Sequence, residues 1–211
     1  MIKYIDRYYL NWEEYGIKFW SSGRLPSEYQ EVEYIESNGS WDNWQYIIPW
    51  ISIESWISMW IEADFEWTNT TWRGEADLYS MYKASGKYIQ NWFWESSLRF
   101  NCNFWWCTND TYTRDPSTVA KNTRYSYNAE WTPSWDDTTW CYLLAQQESG
   151  SQHRCMSAKL YSVKLYKNNQ LVRDFVPCYR KADTEIGLYD LVEWVFYTND
   201  WSWSFTKGAN V

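Results

Sequence analysis

Ala158-Lys159-Leu160-Tyr161-Ser162-Val163-Lys164-Leu165-Tyr166 carries the clearest alternation of apolar and polar side chains in the chain, and Lys167-Asn168-Asn169-Gln170 follows it directly. Alternation at a period of two predicts a half-buried strand, and an Asn-Asn pair at its end predicts a hairpin turn. Leu171-Val172-Arg173-Asp174-Phe175-Val176 then returns as the second strand. Pro177 has no N–H to donate, so the pairing is expected to stop there. The same reading extends outward. Ile57-Ser58-Met59-Trp60-Ile61-Glu62-Ala63-Asp64-Phe65-Glu66-Trp67 puts its odd-numbered apolar residues on one face, and Gln30-Glu31-Val32-Glu33-Tyr34-Ile35-Glu36 reads as a further strand. Thr108 to Asn128 is polar and holds Asp115-Pro116, which predicts a long loop or irregular strand. Helix-period stretches are absent. Strands this numerous must stack as two sheets to bury their apolar faces, so the expected fold is an all-β antiparallel sandwich.

The chain holds nineteen tryptophans and eight glycines in 211 residues. Glycine normally makes up about 7% of a protein, roughly twice its share here, while tryptophan is normally rare. Asn11-Trp12, Pro49-Trp50 and Asp200-Trp201 would be strong turn signals if each Trp were Gly. As written they are poor turns, because left-handed backbone costs a residue with a Cβ about 1–2 kcal/mol. The expectation is that many of these tryptophans are in-frame UGA codons that the source organism reads as glycine. The competing expectation is a Trp-rich binding surface. Under the first, Trp12, Trp50 and Trp201 should lie in turns with exposed rings or positive φ. Trp67 and Trp131 sit in strand-like runs and are read at face value.

A net charge of −8 and a pI of about 4.8 repel phosphate backbones and anionic membrane surfaces, which argues against a nucleic-acid partner. No apolar run reaches membrane-spanning length, so no membrane insertion is expected. The start, Met1-Ile2-Lys3-Tyr4-Ile5-Asp6-Arg7, lacks the pattern of a signal peptide, so synthesis in the cytoplasm without Sec export is the simplest expectation. Five cysteines, at 102, 107, 141, 155 and 178, form no paired spacing, which predicts reduced, mostly buried thiols and no structural zinc. The single histidine, His153, lies in a polar run and is read as loop-exposed. Residues 1–22 read as a separate N-terminal arm, a small hairpin about Asn11-Trp12 joined by Ser21-Ser22-Gly23 to a main domain at 23–211. Two strands alone are marginal in water, so the arm is expected to dock on a partner or on copies of itself, unless it adds an edge strand to the main domain.

Four stretches carry a family likeness: Leu25-Pro26-Ser27-Glu28-Tyr29-Gln30-Glu31-Val32-Glu33-Tyr34-Ile35-Glu36-Ser37-Asn38-Gly39-Ser40, the hairpin quoted above through Lys181, Ile186-Gly187-Leu188-Tyr189-Asp190, and the run from Glu193 to Phe205. Together they resemble the concanavalin A-like (laminin G-like) jelly-roll domains of tailed-phage virion proteins and some bacterial surface proteins. The likeness spans 24–211, with 68–140 unplaced. It implies a two-sheet antiparallel jelly roll, with glycine where Trp194, Trp201 and Trp203 stand. The implied function is a non-enzymatic virion structural or adhesion protein, a head or tail fibre or a capsid decoration. Such a protein would attach to other virion proteins through 1–22 and display a surface for host glycans. It would be made in the host cytoplasm and reside in the virion, as a homo-oligomer for which a trimer suits a fibre role.

The resemblance also frames the site candidates. Glu62, Asp64 and Glu66 match the Glu-x-Asp-x-Glu signature of laminarinase-type glycoside hydrolases, in which one carboxylate attacks the sugar, another protonates the leaving oxygen and the middle one tunes them. The plainer reading is the polar side of a half-buried strand. For carbohydrate stacking the candidates are Phe93 within Trp92-Phe93-Trp94, Phe104 and Trp105 within Phe104-Trp105-Trp106, and Tyr112. No cofactor is expected. Calcium, which some laminin G-like domains use, would draw on Asp136 and Asp137 or on Asn109 and Asp110.

Overall fold

The computed structural model describes residues 24–38, 45–52, 54–69, 75–84, 87–94, 100–102, 111–115, 119–133, 141–148, 151–153, 155–200 and 203–211. Among them there is no helix, hence none long and apolar enough to cross a membrane, and every strand pair is antiparallel. The arm at 1–22, Trp12 and Trp201 lie outside the described residues.

Sixteen strands follow in order: β1 (Tyr29–Glu31), β2 (Ile35–Asn38), β3 (Met59–Asn69), β4 (Glu75–Ala84), β5 (Lys87–Trp94), β6 (Phe100–Cys102), β7 (Thr111–Asp115), β8 (Arg124–Thr132), β9 (Cys141–Leu143), β10 (Gln146–Glu148), β11 (Ser151–His153), β12 (Ser157–Lys167), β13 (Gln170–Arg180), β14 (Ile186–Asp190), β15 (Val195–Thr198) and β16 (Thr206–Lys207). The larger sheet runs β15-β14-β13-β12-β3-β8-β7, with β1 also on β13, β2 also on β12, and β16 on β2. The smaller runs β6-β5-β4-β9, and β10 pairs with β11 alone.

β3 and β12 form the longest pairing, from Ser157 opposite Asn69 to Lys167 opposite Met59. In β3 the alternation holds throughout: Ile61, Ala63, Phe65 and Trp67 are buried while Glu62, Asp64 and Glu66 are half-buried on the other face. β12 cannot alternate strictly, because Leu160 and Val163 are both buried yet three residues apart. A bulge resolves this. The register steps from Leu160 opposite Phe65 to Ser162 opposite Asp64, so Tyr161 is an extra residue, and both halves of the strand keep their apolar side inward.

The inward residues of β3, β8 (Tyr127, Ala129, Trp131), β12 and β13 (Phe175) share one core with Leu78 and Tyr79 of β4 and Cys141 and Leu143 of β9. The two sheets are thus joined through apolar side chains, as in a β-sandwich. Trp67 and Trp131 are essentially fully buried there, as a plain reading of those two residues requires.

The hairpin between β12 and β13 forms as expected, with Asn168 and Asn169 at φ 50° and 58°, the paired positive values of a tight hairpin turn that asparagine tolerates. Two expectations need correction. β13 does not stop at Pro177 but continues to Arg180. Pro177 accepts from the Val32 N–H and stands opposite Leu188, so its missing donor costs only one bond, where β1 ends. Residues 30–36 are not one strand: β1 pairs with β13 and β2 with β12, and between them Val32 bridges Asn210. The polar segment 108–128, expected as a long loop or irregular strand, holds β7 and the start of β8, with Asp115 opposite Asn128. Arg124, Ser126 and Asn128 are exposed there, which hides the alternation from a hydropathy reading.

Three of the five cysteines are described in full, and Cys141, Cys155 and Cys178 are free and buried. Burial pushes the Cys155 and Cys178 thiols up to about 12 and Cys141 higher still. Their thiolates are negligible at neutral pH, so all three should resist a thiol-labelling reagent until the protein unfolds, a difference that labelling with and without denaturant would reveal. Gly187 packs its backbone so closely on β15 that an added Cβ would lie 2.1 Å from the Tyr197 carbonyl oxygen. Gly187→Ala should therefore cost several kcal/mol, comparable to the ~3–5 kcal/mol expected for Trp131→Ala, as read by chemical denaturation.

Candidate functional site

The outward face of β3, β8 and β12 gathers charged, hydroxylic and aromatic side chains around a groove. Register sets its rows. Across the three strands Asn128, Glu62 and Lys164 form one row, Ser126, Asp64 and Ser162 the next, and Arg124, Glu66 and Lys159 the third. The first two rows line an open groove of about 300 Å³. Its depth comes from residue size, since Ser126, Asn128 and Ser162 are short while their neighbours are long. Beyond the first row, Trp60 stacks on Tyr166 with ring centroids 5.1 Å apart and planes at 29°. Beyond the second, the Arg124 guanidinium lies 3.7 Å over the Tyr161 ring. The groove thus runs between two aromatic ends.

Each acidic residue of the Glu-x-Asp-x-Glu run is held by its own sheet. Tyr166 donates its hydroxyl to Glu62 Oε2 at 3.1 Å. Arg124 grips Asp64 with two bonds, Nε to Oδ1 at 2.8 Å and Nη2 to Oδ2 at 2.6 Å. Glu66 accepts from Lys159 Nζ and from the Tyr161 hydroxyl, both at 3.2 Å. Lys164 lies 3.8 Å from Asp174 of β13. Burial, with the neighbouring Glu66 and Glu62, holds the Tyr161 and Tyr166 phenols above their ordinary range, so both remain donors at neutral pH. Hydrogen bonding to Glu66 likewise raises Lys159 and keeps it charged. Successive outward residues of a strand are about 6.5–7 Å apart along the chain. The three carboxylates therefore stand in a row along the middle strand, and Glu62 and Asp64 are flanked in the groove by Ser126 and Asn128 of β8 on one side and by Ser162 and Lys164 of β12 on the other.

Chemically, the groove offers acceptors on Glu62 and Asp64, mixed donors and acceptors on Ser126, Asn128 and Ser162, and one ammonium on Lys164. Such a set can hydrogen-bond groups that both donate and accept. Among the described residues no group of three or more His, Cys, Asp or Glu side chains is placed to hold a metal ion. Asp136, Asp137, Asn109 and Asp110 fall outside those residues, as do Phe104 and Trp105. Phe93 lies in β5 opposite Ala76 and Phe100, and Tyr112 in β7 opposite Trp131. These two stacking candidates belong to different sheets. His153 lies in β11 opposite Gln146, in a short hairpin rather than a loop.

Sequence reasoning found the acidic centre of the groove on β3 and missed its two flanks on β8 and β12. The outward order Lys159, Ser162, Lys164, Tyr166 is visible in the sequence only once the bulge at Tyr161 is known, and Ser126 and Asn128 lie in a segment whose expected state, a long loop or irregular strand, sets no face for them. Comparison with known proteins gives no match: no family model fits the chain, and neither a curated protein nor a solved structure is similar to it.

The Arg124 side chain is about half exposed, so water screens its pairing with Asp64. A double-mutant cycle with Arg124→Ala and Asp64→Ala should give a coupling of about 1 kcal/mol or less, which urea titrations of the four proteins would measure.

Proposed function

We propose that this chain is a non-enzymatic binding module, a concanavalin A-like jelly roll displayed on a virion, which takes a host-surface glycan in the β3-β8-β12 groove. The observation that carries this reading is the groove itself. Its short polar floor and walls match sugar hydroxyls, the Trp60–Tyr166 stack at one end offers an aromatic face for a pyranose ring, and the flanking charges are already paired and so pre-positioned. Pre-positioned groups lose little entropy on binding, which suits a weak, repeated contact with a surface polysaccharide.

The virion context rests on the sequence likeness of the two ends of the chain, and the antiparallel two-sheet core accords with it. In this reading residues 1–22 hold the module to other virion proteins, and copies of the chain present several grooves together. A trimer would suit a fibre or decoration role, and a bacterial surface-protein module is the neighbouring possibility within the same class. Binding in the groove calls on no cofactor. The tryptophans at turns are left out of the binding surface, because this reading takes them as recoded glycine.

A hydrolase is the second reading, favoured by Glu62 and Asp64 lining the same groove. Against it stand their partners. Asp64 accepts on both oxygens from Arg124 and Glu66 on both from Lys159 and Tyr161, which leaves them poorly placed to attack or protonate a sugar.

A glycan array tests the reading. The chain should retain a subset of neutral glycans, and Ser162→Trp, which fills the groove, should abolish that retention while leaving the unfolding midpoint close to that of the parent. An array with no retained glycan sinks the binding role and leaves a purely structural decoration protein. Release of sugar from β-glucan, lost in Glu62→Gln and Glu66→Gln, would establish the hydrolase instead. For the context, a gene lying among capsid or tail genes supports the virion, and a host surface-protein locus overturns it.

A further inference from the structure

We infer that positions 50, 56 and 194 are glycine in the protein as its source makes it, each encoded by a UGA triplet reassigned to glycine, and that the aromatic surface they create is not a ligand site. This goes beyond the groove and does not depend on it. Of the eight residues other than glycine with positive φ among the described residues, three are tryptophan: Trp50 at 53°, Trp56 at 64° and Trp194 at 63°. A bulky side chain at such φ is a genuine outlier.

Each of the three occupies a turn in which glycine has a stated role. Ile57 N–H donates to the Glu54 carbonyl at 3.2 Å, which closes a four-residue turn whose third position is Trp56. Positive φ at that third position alone is the type II pattern, which calls for glycine. Trp50 follows Pro49, and proline followed by a positive φ is the same pattern. Trp194 donates its N–H to the Asp190 carbonyl four residues back at 2.9 Å, which closes an α-turn between β14 and β15 whose last residue is left-handed, a conformation glycine adopts without strain.

The other residues at positive φ differ from these three in type, burial or anchoring. Asn122, Asn168 and Asn169 tolerate the conformation. Leu144 is fully buried, and Thr184 hydrogen-bonds the Asp183 carbonyl in a loop clamped by Arg180 and Asp183. The rings of Trp50, Trp56 and Trp194 are 48%, 61% and 40% exposed, so packing repays little of the strain. Trp67 and Trp131 are the contrast, since both fill the core from extended strand positions. Trp203 is 52% exposed but lacks a positive φ, and the geometry assigns it nothing.

The three positions ring one end of the sandwich. The strands that meet there place the 49–58 segment, the 167–170 hairpin and the 190–194 turn together. Arg173 ties two of them, donating to the Pro49 and Trp50 carbonyls and to Glu193, and Lys167 ties the third by pairing with Glu54. With glycine at 50, 56 and 194 this end presents Glu54 and Glu193 on tight turns, tied by Lys167 of β12 and the buried Arg173 of β13. The exposed aromatic surface disappears.

The coding triplets, together with peptide masses of the protein isolated from its source, test this. UGA at 50, 56 and 194 with glycine masses there, beside UGG at 67 and 131, is the expected result. UGG at one of the three overturns the assignment at that position, and UGG at all three overturns the inference. A second measurement isolates the backbone argument. In the chain as written, Trp50→Gly, Trp56→Gly and Trp194→Gly should each raise the unfolding midpoint by about 2–8 °C. The matching alanine variants remove the ring but keep the Cβ, and should gain less. Glycine no better than alanine at all three positions would remove the physical basis of the inference.

Discussion

The two-residue period of β3 is the constraint on which the rest of the structure depends. One side of that strand, Ile61, Ala63, Phe65 and Trp67, is the middle of the core, and the other, Trp60, Glu62, Asp64 and Glu66, is the middle of the face that holds the groove. Because β3 lies between β8 and β12, its alternation is copied to both neighbours by register, and a slip of one residue would carry carboxylates into the core. Core and site are therefore two faces of a single pattern. Burying Trp67 and Phe65 and displaying Glu66 and Asp64 are not separable choices.

β12 shows what that constraint demands of a neighbour. Its apolar residues fall out of phase between Leu160 and Val163, and the bulge at Tyr161 restores the phase. The extra residue then has a use. Tyr161 stands on the outward face together with Ser162, so one side chain reaches Arg124 and Glu66 while the next leaves space for the groove. A bulge that the core requires thus creates the uneven relief of the outer face. This is how a sheet, flat by construction, acquires a concavity without a loop lying over it.

The sequence made legible those elements whose burial is carried by contrast along the strand. β3, β12 and the Asn168-Asn169 turn could be read because apolar and polar residues alternate there or because asparagine marks positive φ. β8 could not be read at its start, since Arg124, Ser126 and Asn128 share the outward face and the inward residues between them are tyrosines, Tyr125 and Tyr127, which do not separate cleanly from polar residues by hydropathy. Pro177 misled for another reason. Proline excludes a donor and not a strand, and at the end of β1 only one donor was at stake. Half of the groove was therefore visible, the acidic half on β3. The hydroxylic half needed the register, which is a long-range property.

Arg173 shows how the 49–50 and 190–193 segments are fastened to this centre. The segment from Gln45 to Ile51 crosses the sandwich with few strand partners, bridging only at Ile47 and Leu143, so its carbonyls must be satisfied from elsewhere. The buried Arg173 guanidinium supplies donors to Pro49 and Trp50, and its Nε stands 3.4 Å from the fully buried Asp190 carboxylate. Burial drives the Asp190 carboxyl up from its ordinary value, while the Asp174 and Val192 N–H groups and the Arg173 charge pull it back toward ionisation. Such a cluster is specified by geometry more than by energy, because a buried ion pair gives back much of its attraction in lost hydration. It fixes where the chain turns at 50 and at 194, and at both places the turn takes the left-handed backbone that glycine fits and tryptophan does not. The strained positions are thus imposed by the hydrogen-bonding demands of the fold, and the residue written there is the part of the sequence that departs from them.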